Sequence, residues 1–139
     1  MLFRSRCVED LSYVAQEWHT EIELDLQGED LVIDGDSRRI VRILRNLVTN
    51  AIDHCESKPI DVKVRGNEGA VSIAVRDFGV GIAPQQLNRV FDRFWRADPS
   101  RSRVRGGTGL GLSIAREDAA LHGGEIRVWS ELGRGANFV

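Results

Sequence analysis

Two asparagines and an aspartate recur at helical spacing in the stretch NLVTNAIDH. At 100° per residue, Asn46, Asn50 and Asp53 fall within about 60° of one another. Each asparagine inside a helix costs roughly half a kcal/mol against alanine. Amide oxygens four residues apart project together, and magnesium commonly takes one or two protein oxygens, with phosphates and waters completing its shell. Two interpretations therefore stay open, a polar boundary face and a site for metal or phosphate.

The stretch RDFGVGIAP places an aspartate and two glycines directly after an alternating apolar run. Asp77 at a strand end can begin a turn, with Gly79 and Gly81 supplying positive φ. Alternatively, its carboxylate can accept a hydrogen bond from the amino group of adenine, whereas it would face the carbonyl oxygen of guanine. The glycines would then let a flat base lie against backbone. This motif alone leaves both interpretations open.

A third feature is GGTGLGLSIA, over 106–115, which leads directly into a predicted helix. It lacks the lysine of a Walker A loop and the spacing of the dinucleotide GxGxxG motif. Glycine-rich backbone at a helix N-terminus nevertheless offers N–H groups and a positive dipole end to phosphate oxygens. The preceding RFWRADPSRSRVR carries five arginines against Asp98. A charge run is usually a solvated loop, but beside a phosphate cradle it favours a mobile lid over 95–107.

Together these motifs resemble the ATP-binding catalytic domain of sensor histidine kinases, within the superfamily of gyrase, Hsp90, these kinases and MutL. NLVTNAIDH is similar to the N box, DFGVG to the G1 box, FDRFWR to the F box and GGTGLGLSIA to the G2 box, in the family's order. NAIDH and RFWRADPSR further resemble an actinobacterial type of these kinases. The resemblance implies an α+β fold, the Bergerat α/β two-layer sandwich. In that fold a mixed β-sheet is covered on one face by helices, and ATP binds under a mobile lid.

The resemblance also implies a role for each matching residue. Asn50 is expected to bind Mg²⁺ and, with Asn46, to form the catalytic pair, while Asp77 binds the adenine amino group. Asn46 stands where many relatives have a glutamate that activates the attacking group, and a carboxamide cannot act as a base. Phe91 and Phe94 are expected to pack the base of the lid. The expected nucleotide-binding residues are Asn50, Asp53, His54, Asp77, Gly79, Gly81, Ile82, Arg96, Gly107, Thr108, Gly109, Leu110, Gly111 and Leu112.

Three positions depart from the family pattern. Asp53 and His54 stand where many relatives have Lys and Tyr, which removes a phosphate-pairing cation and leaves a smaller ring to stack on adenine. Ala136 stands where a threonine is common. No histidine of the sequence lies in an HExRTPL-like phosphoacceptor box. We therefore expect a catalytic domain that transfers the γ-phosphoryl group of ATP to a histidine on a separate dimerisation domain, serves a response regulator indirectly, and does not phosphorylate itself.

The elements that must position these residues follow an α+β order. A helix is predicted over 38–55, capped by Asp36 or Ser37, and a second helix over 109–123. IDVKVRG and AVSIAVRD alternate on either side of NEG and predict a hairpin. Further strands are predicted at EIELDL, LVID, IRVWS and GANFV, and a weaker helix at VEDLSYVAQEW.

Composition limits the class of protein. A chain of 139 residues, 42% of them hydrophobic, fits one domain, 1–139, with 1–20 as an N-terminal segment. A net charge of −2 argues against non-specific nucleic-acid binding. Cys7 and Cys55 have no zinc or disulfide spacing, and no apolar run approaches a membrane span. We expect a cytoplasmic domain without membrane contact, excised from a longer kinase.

Two other classes of function remain as alternatives. One is an ATP-hydrolysing or ATP-gated clamp of the gyrase and MutL kind, which a glutamate instead of Asn46 would favour. The other is a non-catalytic interaction domain or an RNA binder that uses RSRVRGG.

Overall fold

The computed structural model describes Gln16 and residues 22–27, 36–55, 58–67, 70–93 and 110–139. Three expectations lie outside these residues: the helix at VEDLSYVAQEW apart from Gln16, the strand at LVID, and the lid over 95–107. They stay predictions.

The longest helix of the described residues, α1, runs over Ser37–His54. Asp36 is its N-cap, and the side chain of Asp36 accepts a hydrogen bond of 3.0 Å from the Arg38 N–H. This bond satisfies one of the donors that a helix start leaves without an intrahelical partner. The apolar stripe is buried: Ile40, Leu44, Leu47, Val48 and Ala51. The prediction of this helix and of its cap is confirmed.

In the described residues, five strands form one mixed sheet: β1 Ile22–Gln27, β2 Ile60–Asn67, β3 Ala70–Asp77, β4 Val128–Glu131 and β5 Gly135–Phe138. Their order is β1-β2-β3-β5-β4. β1 and β2 are parallel, whereas the other neighbours are antiparallel. The predicted β2–β3 hairpin is confirmed, and the strand expected at IRVWS begins two residues later and ends one residue later.

The described helices cover one face of the sheet. Along β2 the buried residues alternate with exposed or half-buried ones, so Ile60, Val62 and Val64 face the same core as Leu44 and Leu47. A 3₁₀ helix occupies Pro84–Arg89, and the second α-helix, α2, occupies Gly111–Leu121. The result is the two-layer α/β arrangement with a mixed sheet that the sequence predicted.

None of the helices in the described part of the chain has the length and apolar character needed to cross a membrane.

Candidate functional site

One pocket joins the C-terminal half of α1 to the ends of β3 and β5. Its lining consists of Asn50, His54, Asp77, Gly81, Ile82 and Ala136. All of these except Ala136 are residues for which the sequence predicted nucleotide binding. Ala136 lies directly opposite Asp77 in the β3–β5 pairing, which brings the family departure at this position into the pocket. The fold therefore brings the polar flank of α1 and the DFGVG segment together.

Asp77 is the buried charged residue of this pocket, with 1% of its surface exposed. One carboxylate oxygen, Oδ1, accepts a hydrogen bond of 3.0 Å from the Gly79 N–H, which is the turn-starting bond that the sequence left open. Burial raises the pKa of Asp77, while the Gly79 N–H, the His54 ring and the Ala136 N–H partly oppose that rise. Among the described residues no cation forms an ion pair with it. A donor that enters the pocket would therefore meet a poorly solvated carboxylate.

Gly79 and Gly81 are required by the packing of the protein's own backbone. A Cβ on Gly79 would overlap the His54 carbonyl at the end of α1, and one on Gly81 would overlap the Glu131 carbonyl at the end of β4. Gly81 also has a φ of 76°, which favours glycine. We expected these glycines to leave room for a base. On the side where a side chain would stand, that room is taken by backbone, because α1 and β4 both approach this loop closely.

Ser130 holds the loop that follows Gly81. Its hydroxyl accepts a hydrogen bond of 2.6 Å from the Ile82 N–H and donates one of 2.8 Å to the Gly135 carbonyl. The sequence placed Ser130 at the end of a strand but gave no sign of this role, since the bond joins residues 48 positions apart. Ser130 therefore fixes one wall of the pocket without lining it.

The predicted flank of α1 has two separate surroundings. Asn50 and His54 line the pocket, and the Nδ1 atom of His54 lies 2.8 Å from the Asn50 carbonyl oxygen one turn earlier. Asn46 instead lies beside the start of α2, where its Oδ1 is 3.6 Å from the position that a Cβ on Gly111 would take. Asp53 is half-buried and is not among the residues that line the pocket. The two asparagines thus follow one flank from the pocket to α2.

The first turn of α2 faces that flank. Leu110 is the N-cap and supplies no side-chain hydrogen bond to the helix start, while Ser113 donates to the Leu110 carbonyl at 2.8 Å. Backbone N–H groups at such a helix start are suited to an anion. Leu112 is buried beneath them. The remaining predicted residues of this cradle lie outside the described residues: Phe94, Arg96, Gly107, Thr108 and Gly109.

Phe91 is anchored to the core rather than exposed. Its ring meets that of Phe138 edge to face at 6.2 Å, and the Arg116 guanidinium lies 5.5 Å from its centroid. Phe91 therefore fixes the chain to the core shortly before residue 94.

The donor set fits magnesium only as an ion that shares its coordination shell with phosphate. The part of the chain that the structure describes holds no cluster of three or more histidine, cysteine, aspartate or glutamate side chains that could bind a metal. Asn50 offers a neutral amide oxygen at the pocket. Because Mg²⁺ usually keeps waters and phosphate oxygens as ligands, one or two such protein oxygens suffice.

Comparison with known proteins agrees with this geometry. Residues 35–139 match the family model described as histidine kinase-, DNA gyrase B-, and HSP90-like ATPase. The chain is 49% identical over 129 residues to the sensor histidine kinase MtrB of Mycobacterium bovis, covering 93% of the chain but 23% of that kinase. It is 47% identical over 110 residues to the sensor-like histidine kinase SenX3 of the same organism, covering 78% of the chain and 27% of that protein. The predicted actinobacterial likeness is thus confirmed.

Solved structures show the same fold. The mycobacterial sensor histidine kinase MprB superposes with a TM-score of 0.81 at 25% identity, over 99% of this chain and 91% of that one. Full-length ShkA, solved in complex with AMPPNP, gives a TM-score of 0.77 at 33% identity, over 99% of this chain and 28% of that one. The Bergerat sandwich that the sequence predicted is confirmed. The chain spans about a quarter of the length of the curated relatives that it matches.

Proposed function

This chain belongs to the family of histidine kinase-, DNA gyrase B- and HSP90-like ATPases, and we propose that it is the ATP-binding catalytic domain of a two-component sensor histidine kinase. It transfers the γ-phosphoryl group of ATP to a histidine on a dimerisation domain outside this chain, and a response regulator receives the group later. The domain works in the cytoplasm, with no contact to nucleic acid or membrane.

The buried carboxylate of Asp77 is the observation that carries this proposal. It lies at the pocket, where burial raises its pKa although the N–H groups of Gly79 and Ala136 and the charge of Arg76 partly oppose that rise. None of the described residues forms an ion pair with it, so a donor from a ligand would offset part of the remaining cost of burial. An adenine amino group would supply a hydrogen bond to a charged acceptor, worth about 1.5–3 kcal/mol. Guanine presents a carbonyl oxygen at the same place and would be repelled.

The direction of α1 indicates where the phosphates of the nucleotide would bind. Asn50 lines the pocket and Asn46 lies beside Gly111, so the flank leads from the base towards the first turn of α2. There the N–H groups at Leu110, Gly111 and Leu112 would bind phosphate oxygens. Asn50, with Asn46 one turn away, would hold Mg²⁺, which neutralises phosphate charge when it is bound.

Asn46 favours phosphoryl transfer over ATP hydrolysis. A water-activating residue must accept a proton, and a carboxamide cannot act as a base. Asn46 occupies the start of the phosphate region, where such a residue would act. The attacking group would then be a histidine side chain on the dimerisation domain of the same full-length kinase, outside this chain.

Calorimetric titration of this chain with Mg-ATP and Mg-GTP tests the proposal. The unmodified chain should prefer ATP, and Asp77→Asn should lose about ten- to a hundredfold of that preference, the equivalent of about 1.5–3 kcal/mol. Asp61→Asn is the matched control, because Asp61 lies on β2 and is not among the residues that line the pocket. Equal affinity of the unmodified chain for GTP and ATP would refute the adenine role of Asp77.

A further inference from the structure

Asp118 is a fully buried carboxylate on α2 that the proposed function does not use. None of its surface is exposed. Its Oδ1 accepts hydrogen bonds from the Arg39 Nη1 at 3.0 Å and the Arg42 Nη2 at 2.8 Å, and its Oδ2 accepts one from the Arg42 Nε at 2.7 Å. These arginines come from α1, and their side chains remain 43% and 49% exposed. Asp118 therefore receives a bidentate fork from one arginine and a third bond from the other.

A bidentate arginine–carboxylate pair fixes geometry more than it adds stability. Both nitrogens of the planar fork must meet both oxygens, which restricts sliding and rotation of one helix against the other. Replacing all members of a buried ion pair with apolar residues of similar volume often leaves the stability equal or raises it, whereas removing one member alone lowers it. The hydrogen bond from Arg42 lowers the pKa of Asp118, so the carboxylate is ionised at neutral pH. Asp118 is thus suited to setting the register between α1 and α2.

Three further contacts lie on either side of Asp118 and its arginines, and together they form a row of contacts between α1 and α2 that we call the ladder. At one end, the Asp36 N–H donates to the Nε2 atom of His122 at 3.1 Å, while His122 Nδ1 lies 2.8 Å from the Asp118 carbonyl oxygen. Since a backbone N–H only donates and a carbonyl only accepts, Nδ1 of His122 carries the proton. At the other end, Gly111 lies beside Asn46. From one contact to the next, the residue numbers increase along α1 and decrease along α2, so the two helices are antiparallel.

The ladder matters because its end at Asn46 and Gly111 is the proposed phosphate region. Asp118 lies two helical turns from Gly111 on the same face of α2, and Arg42 lies one turn from Asn46 on α1. A slip by one residue would move the start of α2 by about 1.5 Å along the helix axis. Misplacement of that size is enough to weaken groups that must meet a ligand together.

We propose that Asp118 is a positioning residue. Through Arg39 and Arg42 it sets the axial position of α2, and so places the N–H groups at the start of α2 opposite Asn46 and Asn50 for a nucleoside triphosphate. This inference rests on the proposed function. It adds a residue that touches no nucleotide and acts through the helix that carries the phosphate-binding backbone.

The test measures binding of the base and binding of the phosphates separately. It titrates the chain with two probes, adenosine, which lacks phosphates, and Mg-AMPPNP, which carries them. Asp118→Leu removes the carboxylate and leaves Arg39 and Arg42 without it, so we expect the melting temperature to fall, although less than at a fully buried pair because both arginines are partly exposed to water. Affinity for Mg-AMPPNP should fall about tenfold, because the phosphate region is displaced. Affinity for adenosine should stay within about twofold, because the pocket around Asp77 does not depend on α2.

Asp118→Asn is the conservative variant, which keeps the shape of the side chain and one acceptor. Its affinity for Mg-AMPPNP should lie between those of Asp118→Leu and the unmodified chain. If Asp118→Leu does not fold, the same two titrations are made on Asp118→Asn instead. Glu117→Leu is the matched control on the same helix, since Glu117 is exposed and bonds Arg93 at 3.3 Å away from the ladder. It should leave both affinities unchanged.

The outcomes separate this inference from the proposed function. If the unmodified chain binds Mg-AMPPNP and Asp118→Leu binds it equally well, the positioning role is wrong and the proposed function stands. A parallel loss of adenosine and Mg-AMPPNP affinity would show that Asp118 has a purely structural role and would overturn the inference. If the unmodified chain does not bind Mg-AMPPNP, the proposed function fails, and the inference with it.

Discussion

Asp77 lies in a buried position where its charge is unfavourable until a ligand arrives. Because burial raises its pKa, the folded chain binds this proton more tightly than the unfolded chain, and ionised Asp77 lowers stability. This loss of stability is absent below the ordinary aspartate pKa of about 3.9, and it reaches its full size above the raised pKa of Asp77 in the folded chain. Asp77→Asn should therefore have a higher melting temperature than the unmodified chain at pH 7, without nucleotide.

Thermal unfolding of both proteins between pH 7 and pH 4 checks this sign. The advantage of Asp77→Asn should shrink as the pH falls towards 4. A variant less stable than the unmodified chain at pH 7 would mean that the carboxylate is well compensated in the pocket, and the argument for an unsatisfied acceptor there would fail.

Asn50 gives a second prediction at the scale of the residue. Asn50→Ala should weaken binding of Mg-ATP by about tenfold or more, since an amide ligand to the metal is lost. Binding of ATP in the presence of EDTA should change little. Stability should also change little, because Asn50 is half-buried and alanine is the better helix former by about half a kcal/mol. Titrations with and without magnesium measure the difference.

Asn88→Ala is the control for this experiment, because Asn88 is an exposed asparagine in the 3₁₀ helix. It should change neither titration. If Asn50→Ala melts early while its magnesium-dependent binding is unchanged, Asn50 is a structural residue and the metal role is wrong.

The junction of α1 with the loop after β3 gives a prediction at the scale of the element. Gly79→Ala would force a Cβ onto the His54 carbonyl at the end of α1. Because that carbonyl also accepts a hydrogen bond of 3.3 Å from the Val80 N–H, α1 cannot withdraw without losing it. We expect the free energy of unfolding to fall by about 1–3 kcal/mol or more, measured by urea denaturation.

Gly124→Ala controls for the loss of a glycine as such. A Cβ there would lie 3.4 Å from the Ala119 carbonyl oxygen, which is ordinary contact, and the change should stay within about 0.5 kcal/mol. Equal stability of Gly79→Ala and the unmodified chain would show that the end of α1 does not pack tightly against Gly79.

At the scale of the whole molecule, the proposed phosphoryl transfer needs a histidine acceptor, and no histidine of the sequence lies in a phosphoacceptor box. His54 lies against the Asn50 carbonyl, and both ring nitrogens of His122 have partners at Asp118 and Asp36. His19 lies outside the described residues. We therefore expect this chain, incubated with γ-labelled ATP, to gain no acid-labile and alkali-stable label. A separately produced dimerisation domain of the same full-length kinase should become labelled when this chain is added.

The same reaction with Asn50→Ala serves as the control for adventitious kinase activity and should leave the dimerisation domain unlabelled. A stable phosphohistidine on this chain alone would contradict transfer to a separate domain.

Local periodicity in the sequence determined much of this fold. Helix α1 and the β2–β3 hairpin repeat their apolar residues at the spacing of their own element, and Asp36 and the polar residues NEG mark their ends in the sequence. The pocket was also predictable in part, because Asn50 and Asp77 are polar residues that break those patterns. Sequence therefore determined which residues are unusual and on which element they lie.

Tertiary structure alone decided what those residues meet. Asp118 lies 76 positions from Arg42, and Ser130 lies 48 positions from Ile82. The one signal for Asp118 was a charge on the same stripe of α2 as the buried Ala115 and Ala119. Gly79 likewise lies against the carbonyl of His54, a contact that its motif did not indicate. Periodicity records only which face of an element is buried, whereas a partner is fixed by how two elements pack, and that arrangement exists only in the folded chain.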